Sequence, residues 1–324
     1  MTILQKLTII NKEQELTQEK LAALLGVSFA TVNSWLNGRS LPRPQKQQLI
    51  DELYKKVTGQ TQIPSSELVA KKDLLVKKSR QFPKILEYIK SRPDLFDQFV
   101  LSLTYHSNSL EGSSLTENDT AAIIFDNVAI PHKSVIEHLE AKNHQTALEY
   151  LFSTVKPAAR LSEEYILKLH GLIMNSIRAD AGFYRNHGVR IVGTNVPTAN
   201  HAKIPTLMAE LVADINQNDK DVIGHCARVH SRFEQIHPFA DGNGRVGRLL
   251  MYSMLLRRNY PPALIKQEHK MAYNQYLNKA QMSGENSLLE NFLCEAMTFS
   301  FDLLWDPDSA WAVTDKRTSH RKTG

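Results

Sequence analysis

Cysteine is nearly absent from this chain. Cys226 and Cys294 are too few for a thiolate zinc cage or a disulfide framework, and both read as buried packing residues. No apolar run approaches the ~20 residues that span a bilayer. Residues 1–14 also lack the long apolar core of a secretory signal. A cytoplasmic protein without a membrane partner is therefore expected. There is no internal repeat and no low-complexity tract. The excess of one charge is modest, 39 basic against 34 acidic residues. A net charge of +5 permits a polyanionic partner without requiring one. Two basic clusters, Lys71, Lys72, Lys77, Lys78, Arg80 and Lys84, and the tail Lys316, Arg317, Arg321 and Lys322, read as solvated faces.

What is present is ample material for two domains in 324 residues. In the first sixty residues, Thr17 and Ser28 are placed to cap short helices. The apolar stripes are Leu21, Leu24 and Leu25, then Val32, Trp35 and Leu36, with stops at Gly26 and Asn37-Gly38. Residues 57–67 have linker composition. A basic helical stretch follows, broken by Pro83 and Pro93. Amphipathic patterns predict helices at 94–110, 117–126, 134–153, 163–178, 205–217, 221–236, 243–258, 269–282 and 286–304. Thr116, Ser134 and Ser162 are candidate caps. Residues 182–205 break the helical pattern. There Val189, Ile191 and Val192, bracketed by Gly188 and Gly193, predict a small β-hairpin.

The chemically informative segment is His237 to Arg248, HPFADGNGRVGR, between two helical patterns. Gly242 and Gly244 let the backbone turn tightly and approach a ligand. Outward amides and the start of the next helix form an anion cradle suited to phosphates. Arg245 and Arg248, three residues apart on one helix face, extend that cradle. Asp241 offers a carboxylate of the kind that Mg²⁺ accepts beside phosphate oxygens. His237 has an imidazole suited to take a proton near neutral pH. An ordinary glycine turn between helices would share this pattern, and spacing alone leaves both readings open.

These residues resemble the signature of the Fic family, His-x-Phe-x-Asp/Glu-Gly-Asn-Gly-Arg-x-x-Arg. Here they are His237, Phe239, Asp241, Gly242, Asn243, Gly244, Arg245 and Arg248. The likeness extends over about 94–300, including Leu169-His170 and Gly182-Phe183-Tyr184-Arg185. It implies AMP transfer from ATP, with Mg²⁺, to a Ser, Thr or Tyr hydroxyl of a protein, itself among the candidate targets. By resemblance His237 is the general base, Phe239 packs inward and Asp241 holds Mg²⁺. Gly242, Asn243 and Gly244 bind the α- and β-phosphates, while Arg245 and Arg248 bind the distal ones. Gly244 stands where the phosphate-transferring branch has lysine. Lys270 and Tyr273 lie where many relatives have Arg-x-x-Tyr.

Ser107, Glu111 and Gly112 match the inhibitory motif Ser/Thr-x-x-x-Glu-Gly/Asn found in many Fic proteins. A carboxylate beside Arg248 would occupy the place of the γ-phosphate. The alternative is that Glu111-Gly112 merely ends a helix, and Glu111 as a hydrolytic base for AMP removal also stays open. Val189, Ile191 and Val192 match the family's target-docking flap, which would hold a target segment by strand addition.

Residues 5–56 resemble phage-repressor-type helix-turn-helix domains. The resemblance gives Gln18 and Arg39 phosphate contacts and turns Ser28, Phe29, Ala30, Asn33 and Ser34 to the major groove. Phe29 departs from the usual polar reader, so a module that mediates only protein contact remains the alternative. The expected fold is all-α, a helical Fic bundle with a small β-hairpin flap behind the helix-turn-helix domain. Expected boundaries are 1–57, a linker with a basic helical segment at 58–93, the Fic domain at 94–304 and a basic tail at 305–324. DNA and a second copy of the chain are expected partners. A nucleotide-sensing transcription regulator with little transferase activity is the competing function.

Overall fold

The computed structural model describes residues 2–14, 16–57, 63–157, 159–191 and 193–305. Val192, the polar stretch 58–62 and the basic tail Lys316, Arg317, Arg321 and Lys322 lie outside these residues. The described residues form helices α1 (Ile3–Glu13), α2 (Gln18–Leu25), α3 (Phe29–Leu36), α4 (Pro44–Val57), α5 (Ser65–Gln81), α6 (Ile85–Lys90), α7 (Pro93–Glu111), α8 (Glu117–Ile124), α9 (Val135–Thr154), α10 (Glu163–Ile173), α11 (Ile204–Ile215), α12 (Val222–Ile236), α13 (Asn243–Arg257), α14 (Lys270–Ser283) and α15 (Ser287–Trp305). The chain divides into two compact units, Met1–Pro64 and Ser65–Gly324. No helix among the described residues is long and apolar enough to cross a membrane.

In the first unit the caps follow from local chemistry. Thr17 Oγ1 accepts the Lys20 amide, and Ser28 Oγ accepts the Thr31 amide. Gly26 ends α2 at φ 59°, the left-handed region where glycine is favoured. Lys46 Nζ donates to the Leu25 carbonyl at 2.7 Å, so α4 also ties down the end of α2. The core is Leu7, Ile10, Leu21, Ala22, Leu25, Val32, Trp35 and Ile50, one contribution or more from each of the four helices.

In the second unit α12 and α13 form an antiparallel-connected pair at the centre. Helix α7 packs on α9 and α13, and α15 supports α12 and α14. Residues 65–90, which read as spacer from composition, belong to this unit. Leu75, Ile85, Leu86 and Ile89 are buried, and α5 packs along α15. Three of its basic residues are partnered rather than merely solvated. Lys71 pairs with Glu295 and Asn291, Lys72 with Asp221 and Glu290, and Lys78 with Asp302. Thr116, Ser134 and Ser162 cap α8, α9 and α10 through side-chain bonds to the third helical amide. Cys226 and Cys294 are buried and unpaired.

Two expectations are corrected. Helix α10 stops at Ile173 rather than 178, because Asn143 Nδ2 captures the carbonyls of Ile173 and Asn175 at 3.1 and 2.8 Å. The β-hairpin is also not seen, since no strand occurs among the described residues. Around Val189 and Ile191 the limbs are held by side chains instead of a backbone ladder. Thr198 Oγ1 donates to the Val189 carbonyl, and the Arg185 guanidinium takes the carbonyls of His187 and Ala199. Groups bound in this way satisfy the backbone without strand pairing.

Ile50 is fully buried against α1 and α2 in a unit of modest size. Ile50→Ala is expected to destabilise the first unit by about 2–5 kcal/mol through the lost apolar contact and the cavity left behind. Amide hydrogen exchange on the full chain checks this. Protection should fall across α1–α4 and stay unchanged across α9, α12 and α13.

Candidate active site

The site is built on the turn between α12 and α13. His237 is the C-cap of α12, with φ 51° and ψ 60°, a left-handed conformation that costs a non-glycine residue about 1 kcal/mol. Its Nδ1 lies 3.2 Å from the Glu234 carbonyl. A carbonyl only accepts, so Nδ1 carries the proton and Nε2 keeps a lone pair. Burial pushes the His237 imidazole below its ordinary range, against an opposing contribution from the Glu234 carbonyl. The ring is thus neutral at pH 7.

Asn243, the first residue of α13, closes the turn. Its Oδ1 accepts the Phe239 amide and its Nδ2 donates to the Phe239 carbonyl, both at 2.9 Å. The side chain is buried and bonds the loop as a staple. Phe239 is buried, with its ring stacked on His170 at 3.7 Å and 6°. His170 Nδ1 accepts the Gly182 amide at 2.8 Å, and its Nε2–H donates to the Asp241 carbonyl at 3.2 Å. Gly242 has φ 77° and sits against Met174, where a Cβ would crowd the thioether. Both the backbone conformation and the packing require glycine here.

Arg245 NH1 lies on Glu140 Oε1 at 2.7 Å, and its NH2 is 3.8 Å from both Met174 Sδ and Asp241 Oδ1. Arg248, 1% exposed, donates through Nε to Ser107 Oγ at 3.0 Å and through NH2 to the Ser107 carbonyl at 2.9 Å. Its NH2 also reaches Glu111 Oε1 at 2.7 Å. Burial works against the Arg248 charge, yet the Glu111 carboxylate outweighs it and raises the pKa. Loss of bulk water likewise raises Glu111, but Arg248 wins and holds its carboxyl below the usual range. Glu111 remains 38% exposed, so the pair is partly screened. Gly112 caps α7 at φ 108°, so the same two residues end the helix and deliver the carboxylate. A Cβ on residue 244 would collide with Glu111 Oε1, and Gly244 is what lets that carboxylate lie over the start of α13.

These groups open onto a cavity of about 870 Å³. Its lining includes Glu111, Glu234, His237, Gly244 and Arg248 on one side and Lys270, Tyr273, Asn274 and Asn278 on the other. Ile191 and Gly193–Asn195 form its rim, where Thr194 is bonded by Asn278. Val189 is held by Thr198, while Val192 is outside the described residues. Asp241 lies beside the turn with its side chain 56% exposed and Oδ1 on the Gly242 amide at 2.6 Å.

Several residues of the site were missed from sequence. Glu140 balances Arg245 from α9, 105 positions away. Glu234 is buried on α12 with Oε1 unpartnered, and burial pushes its carboxyl up to about 8. Its position one helical turn before His237 was the available signal. In the first unit, Ser28 is spent on capping and Asn33 Nδ2 donates to Gln18 Oε1 at 3.1 Å. Ser34 pairs with Ser40, whereas Phe29, Ala30 and Arg39 are exposed.

The model of the Fic/DOC family matches residues 160–255, and a helix-turn-helix model matches residues 9–58. The chain is 32% identical over 188 residues to the protein adenylyltransferase Fic of Nematostella vectensis, covering 54% of this chain and 42% of that protein. It is 28% identical over 215 residues to the enzyme of that name in Drosophila melanogaster, covering 65% and 42%. The chain therefore spans less than half the length of these relatives. A Fic domain-containing signaling protein from Bacteroides thetaiotaomicron superposes with a TM-score of 0.64 at 26% identity, over 74% of this chain and 98% of that one. Fic-1 from C. elegans shares the fold, with a TM-score of 0.66 at 20% identity, over 94% and 88%. The fold and the turn define a Fic domain. This chain carries that domain behind an N-terminal helix-turn-helix domain.

The Asn243 staple has a measurable consequence. Asn243→Ala removes two hydrogen bonds from a buried turn, which should cost about 1–3 kcal/mol of local stability. Amide exchange at 239–242 should accelerate in the absence of any nucleotide. Unchanged exchange together with weakened nucleotide binding would instead make Asn243 a ligand.

Proposed function

We propose that the second unit is an autoinhibited protein adenylyltransferase. It moves AMP from ATP to a Ser, Thr or Tyr hydroxyl of a protein, itself among the candidate targets. The observation that carries this reading is convergence on one cavity. A neutral imidazole with a free Nε2, a glycine-lined helix start and a buried guanidinium meet there, with Glu111 seated on the guanidinium.

In this reading the triphosphate lies along the start of α13. The amides at Gly242–Gly244 face its α- and β-phosphates, and Arg248 receives the γ-phosphate in place of Glu111. The target hydroxyl oxygen attacks the α-phosphorus, its proton passes to His237 Nε2, and pyrophosphate leaves. The rim at Ile191–Asn195 would align the target segment. Asp241 fits a Mg²⁺ ion, since one carboxylate oxygen remains available on an exposed side chain and the ion favours few carboxylates with phosphate oxygens and water. When bound, that ion neutralises phosphate charge.

Glu111 acts as the brake in this scheme. Its carboxyl is held low by Arg248, so acidification through the physiological range leaves it charged. Glu111→Gly removes one charge-assisted hydrogen bond. After discounting for its exposure, this should raise self-labelling by ATP about tenfold. His237→Ala in that background should abolish labelling. Labelled ATP with denaturing gels reads both, and equal labelling of all three proteins would sink the brake and the base together.

The first unit, we infer, binds DNA, with the exposed face of α3 toward the major groove and Arg39 at a phosphate. A homodimer and a cytoplasmic location belong to the same reading. In an electrophoretic shift on the chain's own upstream DNA, Arg39→Ala should weaken binding to every sequence and Asn33→Ala should blunt sequence preference. Absence of any shift by the unsubstituted protein would leave the module as a protein-contact domain.

A further inference from the structure

Arg185 lies outside the turn that carries the chemistry, yet it holds that turn more extensively than any catalytic candidate does. Its side chain is buried, and its hydrogen-bond acceptors are all carbonyls. On one side Nε donates to the His237 carbonyl at 2.7 Å and NH2 to the Ile236 carbonyl at 3.3 Å. The Arg185 backbone amide adds the Pro238 carbonyl at 3.0 Å. Three successive carbonyls, at the point where the backbone turns left-handed, are thus gathered by one residue. On the other side NH1 donates to the His187 carbonyl and NH2 to the Ala199 carbonyl, both at 2.6 Å. Those two positions are the feet of the segment whose middle rims the cavity.

A planar guanidinium with five fixed donors can hold both sides at once, which an ammonium on a flexible stem cannot. The carbonyls at the end of α12 would otherwise lack partners, and a cation there is favoured by the helix dipole. His237 sits in a conformation with an intrinsic cost and needs surrounding structure to persist. Among the described residues no carboxylate pairs with Arg185, and burial alone lowers its pKa. The geometry therefore favours positioning over charge neutralisation.

We propose that Arg185 is a positioning residue that couples the segment 187–199 to the His237 backbone, so that seating a target chain on the rim and presenting the imidazole are one event. This rests on the transferase reading above and deepens it. Arg185 contributes no group to the reacting atoms. It sets where Nε2 points through the peptide that carries the ring, and a displacement near 1 Å at that atom costs about a hundredfold in rate.

The test uses the full chain in the Glu111→Gly background. Arg185→Lys is expected to lower kcat for labelling about a hundredfold while the KM for ATP changes less than about threefold, because the phosphate cradle is untouched. Amide exchange should rise together in 187–199 and in 237–241. A second, milder variant, Thr198→Val, unpins one limb from Val189 without touching α12. It should raise exchange in both segments and lower kcat about tenfold. Exchange that rises in 187–199 alone in both variants would overturn the coupling, as would parallel losses in kcat and ATP affinity. If the Glu111→Gly parent labels nothing, the transferase reading fails while the exchange measurements still judge the coupling by themselves.

Discussion

The Arg248 guanidinium is withdrawn from water beside an anionic partner, and the second unit is arranged around that pairing. Its Nε and one NH2 contact are satisfied by Ser107, a neutral residue that can fix direction but cannot balance charge. Glu111, one helical turn further along α7, supplies the balance. Helix α7 therefore binds α13 through a hydroxyl, a carbonyl and a carboxylate in sequence. Gly244 and Gly112 make this possible, the first by leaving room for the carboxylate and the second by ending α7 in a left-handed turn. A phosphate oxygen is chemically equivalent to the Glu111 carboxylate at Arg248, which is why inhibition and nucleotide binding would compete for one donor.

The second constraint is steric and lies in the turn itself. Six residues must reverse the chain between two packed helices while exposing amides and burying a phenyl ring. Asn243 closes the backbone from within, His170 covers Phe239 and orients the Asp241 peptide, and Arg185 collects the carbonyls behind His237. All three side chains bond or stack on the turn itself. Each removes a freedom that the turn would otherwise have, so that the groups facing the cavity are set before anything binds. Preorganised donors avoid reorganisation at the moment of reaction, which is where such sites gain most.

Much of this was legible in the sequence, for identifiable reasons. Helix caps are local, so Thr17, Ser28, Thr116, Ser134 and Ser162 were readable within four residues. The turn was readable because Gly-Asn-Gly after His-x-Phe constrains backbone and chemistry together. What failed was long-range. Nothing near Asn143 announces that it will take the carbonyls of Ile173 and Asn175 and shorten α10. Nothing near Lys71 and Lys72 shows the carboxylates of α15 that turn a basic linker into a packed helix. The hairpin was inferred from β-branched residues between glycines, a local signal that Arg185 and Thr198 override by satisfying the same carbonyls from the side. The two hydrogen bonds from Asn243 to Phe239 also had no sequence signal, because an amide can serve backbone or ligand alike.

Removing one partner of a buried ion pair usually costs about 3–5 kcal/mol, because the other charge is stranded. That figure would make loss of Glu111 a folding defect, and the geometry argues against it. Glu111 is the exposed member and Arg248 the buried one, and both line the cavity. After truncation Arg248 keeps both Ser107 bonds and gains a solvated face where the carboxylate lay. The stranded charge therefore becomes an anion site instead of a void. In the proposed reading, an arriving phosphate would then meet a guanidinium whose direction Ser107 already fixes.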